Sequence, residues 1–201
     1  MMKVGVINYG AGNLLSILNG LKRTGIETLV ITNPVELKEL DAVVIPGVGN
    51  FAHASGALEP FREIFRDIIK EGRYVLGICL GMQILFENSE EGVGEGLGAL
   101  KGRVVRFSPE VKVPHMGWNT LDIIKQTQMT DGISDSDYFY FVHSYYATGL
   151  AGSHIVARTD YSVKFPSMIV KDSLVGVQFH PEKSSKNGVR VLQNFRDMIS
   201  R

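Results

Sequence analysis

Four short runs of apolar, β-prone residues, each closed by turn-forming residues or a helical pattern, restrict this chain to very few architectures. Residues 3–9 (KVGVINY) stop at Gly10 and Gly12 and lead into Leu14, Ile17, Leu18 and Leu21, which share one helical face. Residues 28–32 (TLVIT) and 41–45 (DAVVI) are nearly all apolar, as strands covered on both faces of a parallel sheet are. Pro60 opens a helix in which Phe61, Ile64, Phe65, Ile68 and Ile69 fall at helical spacing, and residues 74–78 (YVLGI) form the next strand. Parallel strands need crossover connections, and helices of this kind supply them. The amino-terminal half is therefore α/β: an open, mostly parallel central sheet flanked by helices.

The second half changes character. Residues 87–98 (ENSEEGVGEGLG) are acidic and glycine-rich, the composition of a surface loop. Beyond them, residues 102–107, 120–124, 138–142, 154–158, 167–170 and 174–179 read as strands with short connections, several of them antiparallel, so an antiparallel portion is added to the sheet. A last helix starts near Ser184 or Ser185 and buries Leu192, Phe195 and Ile199. With 201 residues and 44% hydrophobic content, the chain can fill one sizeable core, and residues 1–201 are read as a single domain. Lys plus Arg and Asp plus Glu both number 21, which argues against nucleic acid or an anionic membrane as a partner. No apolar run approaches the ~20 residues of a membrane span. Cys79 is the one cysteine, so there is no internal disulfide framework and no Cys-rich metal site, and a reducing cytoplasm is the expected location. No spacing among the five histidines suggests a metal.

That cysteine has the surroundings of a nucleophile. It stands in GICLGMQ, directly after an apolar strand and before Met82, Ile84, Leu85 and Phe86, which suit a helix packed on the sheet. Gly77 and Gly81, two positions away on each side, permit the sharp strand-to-helix elbow that lifts a nucleophile into a cleft. The helix start behind it favours an anion, and the Leu80 amide is placed to meet an oxyanion. A thiolate also needs a base held by a third group. His180 ends a strand in GVQFHPEKS, and Glu182, two residues on in an extended segment stiffened by Pro181, can accept a hydrogen bond from its ring. His143, in YFVHSYY, is the rival base but has no carboxylate nearby in sequence; with Ser144 and Tyr145 it is read as pocket lining. His53, His115 and His154 are read as structural or exposed. Residues 46–51 (PGVGNF) follow the third strand, where sites gather in such sheets, and their glycines leave backbone amides free to face an oxyanion.

PGVGNF, GICLGMQ and GVQFHPEKS, in this order across the whole chain, resemble the class I (triad) glutamine amidotransferases. INYGAGN, ending at Asn13, and VPHMGWN, ending at Asn119, narrow the resemblance to the glutaminase subunits of imidazole glycerol phosphate synthase. The resemblance implies a flavodoxin-like amidotransferase fold, no cofactor or metal, and a heterodimer with a (β/α)8-barrel cyclase. On this resemblance glutamine would be hydrolysed and its ammonia passed to the cyclase, which would make imidazole glycerol phosphate and an aminoimidazole carboxamide nucleotide (AICAR). It assigns Cys79 as nucleophile, His180 as acid and base, and Glu182 as orienter. Gly47, Val48 and Leu80 fall at the oxyanion hole, and Gly49, Gln83, His143, Ser144 and Tyr145 at the glutamine site. Asn13, Trp118, Tyr140 and Lys183 fall at the partner interface. It also implies a free subunit that is nearly silent; a Gly47–Val48 peptide that turns over on activation, as the glycines at 47 and 49 permit, would explain this most simply. The alternatives are a glutaminase serving purine, anthranilate or pyridoxal phosphate synthesis, which HMGWN disfavours, and a cysteine peptidase or stress protein built on the same elbow, which would not need HPE on its last strand.

Overall fold

The four amino-terminal runs form the parallel half of one eight-stranded sheet in the computed structural model, which describes residues 2–10 and 13–200. Gly12, expected in the first turn, lies outside those residues. In chain order the elements are β1 (Lys3–Ile7), α1 (Leu14–Lys22), β2 (Glu27–Ile31), β3 (Ala42–Ile45), α2 (Phe51–Leu58), α3 (Arg62–Lys70), β4 (Tyr74–Ile78), α4 (Leu80–Gln83) and β5 (Asn88–Ser89). They continue as β6 (Arg103–Arg106), β7 (His115–Thr120), β8 (Asp122–Ile123), β9 (Tyr138–His143), β10 (Tyr145–Thr148), β11 (Ile155–Tyr161), β12 (Val163–Lys171), β13 (Leu174–Val177) and α5 (Ser185–Ile199). The main sheet runs β2-β1-β3-β4-β13-β12-β11-β8. Neighbours are parallel from β2 to β13 and antiparallel from β13 to β8. Two small sheets, β10-β6-β5 and β7-β9, complete the architecture.

The period of two along each strand divides the core between the faces. Val4, Val6, Ala42, Val44, Leu76 and Ile78 meet Ile17 and Leu21 of α1 and Val191, Leu192 and Phe195 of α5. On the other face, Val43, Ile45 and Val75 meet Phe51 and Leu58 of α2 and Phe65 and Ile68 of α3. Each such side chain larger than alanine contributes about 1.5–3 kcal/mol on burial. Ile199 of the last helix is only partly buried.

Three expectations change. β2 is the edge strand, not a strand covered on both faces: Leu29 and Val30 are 39% and 42% exposed, because the chain returns to β3 on the far side of β1 and leaves its outer edge unpaired. Pro60 sits in a short 3-10 turn (Glu59–Phe61), and α3 starts just after it. α2 was not foreseen, since Gly56 interrupts its pattern; the Asn50 side chain starts it by accepting from the amides of Ala52 and His53. Among the described residues, no helix is long and apolar enough to cross a membrane.

Candidate active site

The chain turns abruptly at Cys79, whose backbone has φ 52° and ψ −107°. A non-glycine residue at positive φ costs on the order of 1–3 kcal/mol unless its surroundings fix it. Here the Cys79 amide donates to Val177 O at 2.7 Å, and its carbonyl accepts from Met82 and Gln83, both at 3.1 Å. The flanking glycines are required by contact more than by freedom. A Cβ on Gly77 would lie 2.5 Å from Gly81 O, and one on Gly81 would lie 1.9 Å from Ile45 O. The segment 46–50 rests on the same elbow, since a Cβ on Gly47 would lie 2.3 Å from Gly81 N. Gly47 is thus a close-approach glycine, and Gly49, at φ 130°, is the one whose conformation calls for glycine. Tyr9, its hydroxyl kept un-ionised by burial and then by the Cys79 charge, donates to Pro46 O and anchors this segment. The helix after Cys79 ends at Gln83 and does not continue through Phe86. The amides of Leu97, Gly98 and Leu100 take the carbonyls of Ile84, Phe86 and Leu85, and the chain turns away.

β13 lies beside β4 with Val177 opposite Ile78, which carries His180 alongside the elbow. Its ring Nδ1 is 2.8 Å from Glu182 Oε1, with the two side chains 1% and 2% exposed. A carboxylate only accepts, so Nδ1 carries the proton in this contact and Nε2 is left for the sulfur. The pairing is made by a 3-10 turn, Pro181–Lys183, that folds the carboxylate back under the ring; the segment is not extended as expected. Burial opposes charge on this ring and is the largest single influence. The Cys79 charge, then the hydrogen bond and charge of Glu182, outweigh it and carry the pKa up to about 10. No hydrogen bond to Nε2 is completed, so the sulfur acts on the ring chiefly through charge.

A cavity of about 290 Å3 opens over Cys79. Gly49, Gln83, His143, Ser144 and Tyr145 all line it, as do Val48 and Leu80, while Gly47 is buried behind them. A larger cavity, about 660 Å3, lies between α3 and the 87–99 loop. None of the candidate catalytic, oxyanion or substrate-binding residues borders it, so the smaller cavity is the one that bears on this chemistry. Glu91 also lines the smaller cavity, though the sequence suggested only an acidic surface loop there. Burial pushes its carboxyl above the ordinary range, and a hydrogen bond from the Phe51 amide, 2.8 Å, offsets part of this.

His143 has no nitrogen to spare. Its Nδ1 is 2.8 Å from Tyr145 O, an acceptor, so Nε2 must accept from His115 Nδ1 at 3.1 Å. Burial first, then the charges of His115 and His180, push its pKa down to about 3, and burial pushes that of His115 to about 4. Both rings are neutral, which removes His143 as a rival base. On the outer face of β7 and β9, Trp118 packs edge-on against Tyr140 at 5.8 Å, and Lys183 Nζ stands 5.9 Å over the Tyr140 ring. Tyr140 O accepts from the His180 amide at 2.9 Å, so this stack is the backing of the histidine. Asn13 caps α1, its side chain accepting from Ser16 N at 3.2 Å, and α1 packs against the Pro181–Lys183 turn.

Known proteins share both the sequence and the fold. A family profile described as glutamine amidotransferase class-I matches residues 5–198. The imidazole glycerol phosphate synthase subunit HisH of Methanothermobacter thermautotrophicus is 47% identical over 197 residues, 98% of each chain. That of Bacillus subtilis is 45% identical over 206 residues, 98% of this chain and 97% of its own. A crystal structure of a glutamine amidotransferase superimposes with a TM-score of 0.79 at 21% identity, covering 98% of this chain and 99% of the other. The fold matches it, and the sequence relatives are closer still: the chain belongs to the class-I glutamine amidotransferase family and, within it, to the HisH glutaminase subunits of imidazole glycerol phosphate synthase.

Proposed function

We propose that Cys79, His180 and Glu182 are the triad with which this glutaminase works, and that it does so as one half of a heterodimer with a (β/α)8-barrel cyclase. The observation that carries the reading is the buried 2.8 Å His180–Glu182 contact beside the elbow of Cys79, the residue over which the cavity opens. The Cys79 thiolate attacks the side-chain amide carbon of glutamine, and the amides of Val48 and Leu80, with Gly47 seating the first on the elbow, receive the oxyanion. Protonated His180 gives its proton to the departing ammonia. The ring, now neutral, takes a proton from water as the water attacks the thioester; glutamate leaves and the thiolate–imidazolium pair is restored.

An amino acid suits a cavity of this size, near the lower end for small-molecule sites. Glu91 at its wall is the group that fits the α-ammonium of glutamine, while Gly49, Gln83, His143, Ser144 and Tyr145 shape the rest. No step needs a metal or cofactor. The ammonia serves the cyclase, which forms imidazole glycerol phosphate and AICAR in histidine biosynthesis, in the cytoplasm. Trp118, Tyr140, Lys183 and Asn13 form the docking face, which Met116, 61% exposed, extends.

The test is Cys79→Ala. Removing one sulfur atom from a buried site leaves the fold in place, while glutamate release falls by at least about 10³-fold. Turnover near that of the native chain would overturn the assignment.

A further inference from the structure

We propose that Gln178 is a further catalytic residue: its side-chain amide donates a hydrogen bond to the Cys79 sulfur and so holds it as the attacking thiolate. The proposal rests on the reading of Cys79 as the nucleophile. Gln178 lies between Val177 and Phe179, just past β13, and is fully buried, with its own amide donating to Ser167 O at 2.9 Å. Burying a primary amide is costly unless its polar atoms are paired. Its Nε2 is 3.5 Å from Cys79 Sγ, and its Oε1 is 3.0 Å from Gln83 Nε2.

Which end of this amide faces the sulfur follows from its neighbours. The Tyr145 carbonyl can only accept, and it receives Gln83 Nε2 at 2.9 Å and His143 Nδ1 at 2.8 Å. Gln83 must therefore turn its NH2 group toward Tyr145, and that same nitrogen meets Gln178. Reversing the Gln178 amide would oppose two NH2 groups and set a carbonyl oxygen against a thiolate. An acceptor at one end of the row thus fixes a donor at the other. A donor to an ionised sulfur is charge-assisted, about twice as strong as one between neutral groups. His180 offers the thiolate a counter-charge, and Gln178 offers it a dipole from the other strand-end position.

Gln178→Glu tests this. It keeps the side chain's size and an acceptor for Gln83, but replaces the donor with a carboxylate oxygen. The readouts are kcat and KM for glutamine, and the rate of Cys79 alkylation by iodoacetamide at neutral and at strongly alkaline pH. We expect kcat to fall on the order of 10²-fold with KM changed less than about threefold. Alkylation should be slowed at neutral pH and return to the native rate in strong alkali, where the thiol ionises unaided. A structural role alone would slow both alike, and that result, or a native ratio of the two rates, would overturn the proposal. If Gln178→Glu does not fold, Gln178→Met, which removes the donor without adding charge, is read in the same way. Cys79→Ala separates the two failures: turnover surviving in that variant sinks the nucleophile itself, whereas a dead Cys79→Ala beside a native-like Gln178→Glu sinks only Gln178.

Discussion

At His180, burial alone would strip the ring of its proton; two neighbours reverse that outcome. Glu182 raises the ring's pKa through its hydrogen bond and its charge, after Cys79 has done so. Glu182→Gln removes that charge, so the ring should lose its proton at lower pH and the alkaline limb of kcat/KM should move down from near the native value of about 10. The sign for stability is the same. A raised histidine pKa stabilises the fold fully below the ordinary 6.5, and the benefit is lost as pH approaches 10, so the variant should be weakened at acid and neutral pH and converge on the native chain in alkali. An alkaline limb that stays in place would mean that Glu182 does not hold the ring. The proposed triad of Cys79, His180 and Glu182 could be nominated from sequence because each carries local punctuation, the glycines of the elbow and the proline of HPE. Gln178 and Glu91 were not. Gln178 acts on groups 95 and 99 positions away, and Glu91 reaches the cavity only because the 87–98 loop folds over α2.

The elbow as an element depends on a missing methyl group. A Cβ on Gly81 would press to 1.9 Å from the Ile45 carbonyl, and backbone on both sides leaves nothing to yield. Gly81→Ala should therefore cost about 3 kcal/mol or more in chemical denaturation. Gly56, inside α2, has nothing within 4 Å of the same position, so Gly56→Ala should stabilise by about 0.5–1 kcal/mol. Equal shifts in the two midpoints would refute the contact argument. Strands β1, β3 and β4 could be read from sequence because strands covered on both faces leave unbroken apolar runs. β7 could not: its inward side chains, His115, Gly117 and Asn119, include no aliphatic residue, and its partner β9 supplies Phe139 and Phe141 to the core instead. β10 was lost for a related reason, its tyrosines being shared between a pocket and a small sheet.

For the whole molecule, the outer side of β7 and β9 is the surface least suited to water. Met116, Trp118 and Tyr138 are 61%, 51% and 56% exposed, and Tyr140 and Lys183 stack beside them. If this is the cyclase face, Trp118→Ala should weaken the heterodimer by about 2 kcal/mol, roughly 30-fold in Kd by titration calorimetry, with little change in the melting temperature of the free chain. An unchanged Kd would move the interface elsewhere. The order of the main sheet has a further consequence for synthesis. Its fifth strand, β13, comes from near the carboxyl end and inserts between β4 and β12. A nascent chain that has not yet released β13 from the ribosome carries the sulfur on an open sheet edge, without the Val177 carbonyl that secures its turn and without the His180 imidazole to activate it. The half-made protein is therefore chemically mute, and the hydrolase comes into being in a single act, when the closing strand zips into the gap.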